Sequence, residues 1–102
     1  MDINRTIVSG RLLEAPFYTV RSTGNPITII NLAVHESETR FEQIKVIAFG
    51  EDAAAARDNL ANNDRIIVEG RLVAVDRGKK GCEVYADQIT KTHSSGSLTP
   101  IL

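Results

Sequence analysis

The chain has one cysteine, no tryptophan and only two histidines. A single thiol, Cys82, closes no disulfide within the chain, which excludes a cysteine-stapled secreted scaffold. Zinc centres draw Cys and His in clusters. Cys82, His35 and His93 stand apart in sequence, so neither a structural metal nor a cofactor is expected. The same inventory has no nucleophile–base pair of the usual kinds. Gly78 and Gly81 flank lysines in a turn rather than opening a phosphate-binding strand-to-helix loop. The chain therefore reads as a non-enzyme. Long apolar runs are missing too: runs such as residues 53–56 fall far short of the roughly 20 residues a membrane-spanning helix needs. Met1, Asp2, Ile3, Asn4 and Arg5 do not make a basic start leading into an apolar stretch. No membrane partner and a cytoplasmic location are the expectation. Charge of one sign is also lacking, with 12 basic against 13 acidic residues and a net charge of −1. That balance argues against nucleic-acid binding by overall charge and leaves only local patches for it.

What is present is enough for one domain: 102 residues, 42% of them hydrophobic and 25% charged. Residues 5–14 (RTIVSGRLLE) alternate, with Thr6, Val8, Gly10 and Leu12 on one face and Arg5, Ile7, Ser9 and Arg11 on the other. An interior glycine in such a pattern marks a strand that bends. Pro16 ends this strand, and a short extended piece follows over residues 17–21. Turn formers occupy residues 22–26. β-branched residues over 27–35 predict a second strand, and alternation over 41–49 predicts a third. The period then changes: Ala53, Ala56 and Leu60 fall on one helical face behind Glu51 and Asp52, whose charges favour a helix start. Residues 65–76, with Gly70 inside, and residues 82–90 predict two more strands joined by a basic hairpin at 77–81. Val8 and Val68 are expected in the core, with Ile7 and Ile67 facing outward. Residues 93–102, rich in Ser, Gly and Thr, predict a flexible tail after a domain at 1–92.

The expected fold is all-β with one helix: a five-stranded Greek-key OB-fold barrel with the helix between the third and fourth strands. A five-stranded sandwich would use similar strands, so periodicity alone leaves it open.

Several segments resemble bacterial single-stranded DNA-binding proteins. Asn4-Arg5 with Val8-Ser9-Gly10-Arg11-Leu12 and Pro16 is similar to that family's opening strand. The turn Ser22-Thr23-Gly24-Asn25-Pro26, the strand Ile30-Asn31-Leu32-Ala33-Val34, Val46-Ile47-Ala48-Phe49-Gly50 before an alanine-rich helix, and Glu83-Val84-Tyr85-Ala86-Asp87-Gln88-Ile89 match in order. The most specific match is Asp64-Arg65-Ile66-Ile67-Val68-Glu69-Gly70-Arg71-Leu72. The resemblance covers residues 4–90. It implies an OB-fold subunit that wraps single-stranded DNA, acts in DNA replication, repair or recombination, and assembles as a homo-oligomer, a tetramer first and a dimer second. Primosomal replication protein N, a smaller dimeric relative, is also similar, which adds replication or primosome proteins as partners. An interaction module with little or no DNA binding is a further reading.

The departures from the family are specific. Tryptophan stackers are usual there, and Glu38, Gln43 and Arg77 stand at three such positions; Phe49 retains the fourth. Glu51 stands where a lysine is usual, and the acidic tip that recruits partners is absent. A strand-binding surface needs cations for phosphates and flat faces for bases. The DNA-binding candidates are Arg5, Arg11, Lys45, Phe49, Arg71, Arg77, Lys79 and Lys80. Lys45, Ile47 and Phe49 share one face by alternation. Arg21 and Arg40 are further cations. Phe17 and Tyr18 read as covering a barrel end, and Tyr85 as packing.

Overall fold

The computed structural model describes residues 1–76, 78 and 80–102; Arg77 and Lys79 lie outside the described residues. The elements run β1 (Thr6–Leu12), β2 (Phe17–Val20), β3 (Pro26–His35), β4 (Phe41–Phe49), α1 (Glu51–Asn59), β5 (Arg65–Asp76), β6 (Lys80–Thr92) and β7 (Leu98–Pro100). The strands lie in the order β1-β5-β6-β4-β3-β2, and β1 also pairs with β3, so the sheet closes on itself. β4 and β6 run parallel while the other pairs are antiparallel. This is an OB-type barrel. The five expected strands are β1, β3, β4, β5 and β6, and the helix falls between the third and fourth of them. β2 and β7 are short additions.

Alternation explains which side chains fill the barrel. Leu12, Ile30, Leu32, Val46, Ile66, Val68, Val84 and Ile89 are all buried, and Val8 and Ile44 pack against them. The alternate positions point away, and Ile7 and Ile67 are exposed. Closing so small a barrel requires strands to cross tightly, and two glycines permit it. A Cβ at Gly10 would collide with the Ala33 carbonyl, and one at Gly70 with the Tyr85 carbonyl. The β5–β6 register shifts between Glu69 and Gly70, where the strand bends.

The helix closes one end of the barrel through Ala53, Ala56 and the adjoining Leu60, all buried. Gly50 at its N-cap takes a φ of 62°, which a side chain disfavours, and Glu51 and Asp52 occupy the first turn. The buried Thr28 hydroxyl donates to the Ala53 carbonyl at 2.6 Å and ties the helix to β3. Tyr18 also faces the helix, with the Arg57 guanidinium 4.3 Å above its ring. Arg57 holds the Asp58 carboxyl below its ordinary range through their hydrogen bond.

The structure departs from the expected free tail at residues 93–102. His93 and Ser97 close a turn with Gly96 at φ 90°, β7 pairs with β6, and the Ile101 amide donates to the Ile89 carbonyl at 2.8 Å. Ile101 and Leu102 pack against the core. Their apolar side chains supply the burial that the Ser- and Gly-rich stretch before them does not.

Candidate nucleic-acid interface

Register across the closed sheet assembles an outward face from residues distant in sequence. Phe17 on β2 pairs with Ile29 on β3, Ile29 with Ile47 on β4, Ile47 with Tyr85 on β6, and Tyr85 with Arg71 on β5. In a sheet, directly paired residues point to the same side. These five therefore form one row across five strands, with Ile47 in its middle buried and Phe17 at its end exposed. A neighbouring row runs Thr19, Ile27 and Phe49, and a third pairs Asn31 with Lys45. Val46 and Ala48 lie on the opposite, core side of β4.

The aromatic centre of this face is compact. The rings of Phe49 and Tyr85 meet edge to face with centroids 4.7 Å apart and planes at 70°. Such pairs are favoured by the ring quadrupoles. A guanidinium lies over each ring: Arg21 at 5.5 Å from the Phe49 centroid and Arg71 at 5.3 Å from that of Tyr85. Both rings are only half-buried, and Phe17 at the end of its row is 60% exposed. Beside the rings, the third row opens into a polar cleft of about 550 Å³ that includes Asn31, Gln43, Lys45 and Glu83. The face thus combines flat apolar surfaces with cations beside them.

The sequence-based candidates divide over the molecule. Lys45, Phe49 and Arg71 come together on this face. Lys80 is exposed at the start of β6. Arg77 and Lys79 lie outside the described residues. Arg5 is engaged in an ion pair with Glu69. Arg11 donates to the Asn63 side chain at 2.6 Å and lines a separate cleft with His35 and Arg65. Tyr85 and Phe17, read from the sequence as packing and as a barrel-end cover, also lie on this face, and Arg21, named there as a further cation, reaches it. Alternation did carry a signal for Tyr85, since its neighbours Val84 and Ala86 are both buried.

A second exposed apolar area lies on β1 and β5. Ile7 is 64% exposed and Ile67 36% exposed, close together because Ser9 pairs with Ile67 and Ile7 with Glu69. Among the described residues β1 pairs with β3 only at Arg11 and Leu12, which leaves the other edge of its earlier residues without a strand there.

Comparison with known proteins agrees with this architecture. No curated protein matches the chain. Among solved structures, the SSB domain of a protein from Synechococcus sp. superposes with a TM-score of 0.75 at 21% identity, over 87% of this chain and 96% of that one. The single-stranded DNA binding protein from Thermus aquaticus superposes with a TM-score of 0.76 at 30% identity, over 89% of this chain. A deletion mutant of the Thermus protein gives the same TM-score and identity over 90% of this chain. The match spans about two fifths of the Thermus chains, 41% and 42%. The model of the single-strand binding protein family matches residues 3–95, and the chain belongs to that family.

Proposed function

We propose that the protein binds single-stranded DNA without sequence preference, along the outward face that carries Phe49, Lys45 and Arg71, and serves replication, repair or recombination. One observation carries this reading. Phe49 is half-buried, points away from the core, lies under the Arg21 guanidinium, and shares its strand face with Lys45. A base stacks on the ring, and the neighbouring cations meet the phosphates on either side. Lys80, exposed at the start of β6, and the neighbouring basic residues of the sequence, Arg77 and Lys79, are further phosphate-binding candidates in this reading. Arg5 and Arg11 contribute less, because their guanidinium groups already have partners.

Phe49→Ala tests the site. Stacking is worth about 1–3 kcal/mol per base, so the folded variant loses that much affinity for oligo-dT while Phe17→Ala loses less. Equal affinity in wild type and folded Phe49→Ala would assign Phe49 to packing alone.

Self-association belongs to the same proposal. The exposed Ile7 and Ile67 and the open edge of β1 suit a second copy of the chain. Apolar areas of this kind mark interfaces, and an open strand edge invites pairing.

A further inference from the structure

We infer that Tyr85 is a second base-stacking platform, and that Arg21 and Arg71 cover the two rings only until a strand arrives. The inference rests on the single-strand binding proposed above and adds a residue and a binding step to it. Tyr85 does not belong to the barrel core. Its backbone neighbours Val84 and Ala86 are buried, while its own ring lies on the outward face against Phe49. Tyr85 sets a second ring directly against Phe49, with the two centroids 4.7 Å apart.

The scaffold holds this platform in place. Arg71 is the direct cross-strand partner of Tyr85. Immediately before it, Gly70 lets β5 press against the Tyr85 carbonyl. Immediately after it, the Asn4 side chain grips the Leu72 backbone from both sides, donating to its carbonyl at 2.8 Å and accepting from its amide at 2.9 Å. The backbone at Arg71 is therefore held, while its side chain is exposed and meets the Tyr85 ring through the guanidinium. A guanidinium that reaches a half-buried ring from the solvent side is held weakly. A base that takes its place gains the ring face, and the displaced guanidinium, still tethered beside it, gains a phosphate. The two ring planes stand at 70°, so a strand using both platforms turns between one base and the next.

The composition supplies the probe. The chain has two tyrosines and no tryptophan, so its emission comes from Tyr18 and Tyr85. Tyr18 is on the helix side under Arg57, away from the face. The experiment follows tyrosine emission and the anisotropy of a labelled oligo-dT strand in the same titration. Saturating strand is expected to remove the Tyr85 share of the emission, that share being the difference between wild type and Tyr85→Phe. Tyr85→Phe is expected to bind within about threefold of wild type and to show no quenching. Tyr85→Leu, with folding checked by circular dichroism, is expected to weaken binding on the order of ten- to a hundredfold. Binding by anisotropy without any loss of emission overturns the role of Tyr85 and leaves the Phe49 site standing. Quenching that persists in Tyr85→Phe, or unchanged affinity in folded Tyr85→Leu, overturns it likewise. No binding by anisotropy at low salt overturns both the inference and the function on which it rests.

Discussion

The space that a side chain at Gly70 would need is filled by the Tyr85 carbonyl. That contact joins the closure of the barrel to its outward face. The bend in β5 that lets the sheet close also sets Arg71 directly beside Tyr85. Fold and candidate site therefore share a residue that has no side chain of its own.

Gly70→Ala is expected to destabilise the protein by about 1–3 kcal/mol, the usual cost of forcing extra atoms into a packed position. The clash is with backbone, which a rotamer change cannot relieve. Urea unfolding measures the loss. A variant as stable as wild type would mean that the two strands separate at no cost.

The charge beside Phe49 gives a salt-dependent test. Glu51, in the first turn of α1, is exposed close to the ring in sequence. Glu51→Lys exchanges a repelled group for one able to meet a phosphate. It is expected to raise affinity for oligo-dT and to steepen the slope of log affinity against log salt by about 0.7, the increment for one phosphate neutralised on a single strand. Lys79→Ala with Lys80→Ala is expected to flatten that slope by about 1.4 on the same reasoning. Both changes act on all sequences alike, because phosphate contacts carry no base information. The salt slope, measured on strands of different sequence, decides each.

Ile7 and Ile67 offer a test of assembly. Wild type is expected to sediment as a tetramer or dimer. Ile7→Asp, which places a charge in the proposed interface but in solvent when the subunit is alone, is expected to give a folded monomer. Light scattering reads both, and a monomeric wild type at micromolar concentration would remove the interface.

Removing residues 98–102 is expected to cost about 1–3 kcal/mol, in keeping with the partial burial of Ile101 and Leu102 against the core. For a domain of this size each kcal/mol lowers the melting temperature by roughly 4–8 °C. An unchanged thermal midpoint would mean that β7 adds nothing to stability.

The sequence made the barrel legible wherever period-2 alternation was clean. Val8 against Ile7 and Val68 against Ile67 follow from it, and the structure has them so; Lys45, Ile47 and Phe49 share a side of β4 by the same alternation, with Ile47 buried between the other two. The pairing of β7 has no such signal, because Leu98, Ile101 and Leu102 have no clear period among Ser, Gly and Thr. The Phe49–Tyr85 pair was hidden for a different reason. It depends on the parallel β4–β6 pairing, in which Ile47 lies beside Tyr85, and such a non-local register has no local signature. The same holds for Arg5, whose alternation puts it on an outer face while the β1–β5 register hands it to Glu69.

The central claim is preference for the single strand, and one titration tests it most directly. A labelled oligo-dT strand and its duplex form are each titrated with the protein at low and at moderate salt. A face that stacks bases on Phe49 and meets phosphates with surrounding cations predicts clear preference for the single strand at both salts, because duplex bases are already stacked and paired, and weaker binding as salt rises. Equal affinity for strand and duplex, or no binding of either at low salt, would contradict it.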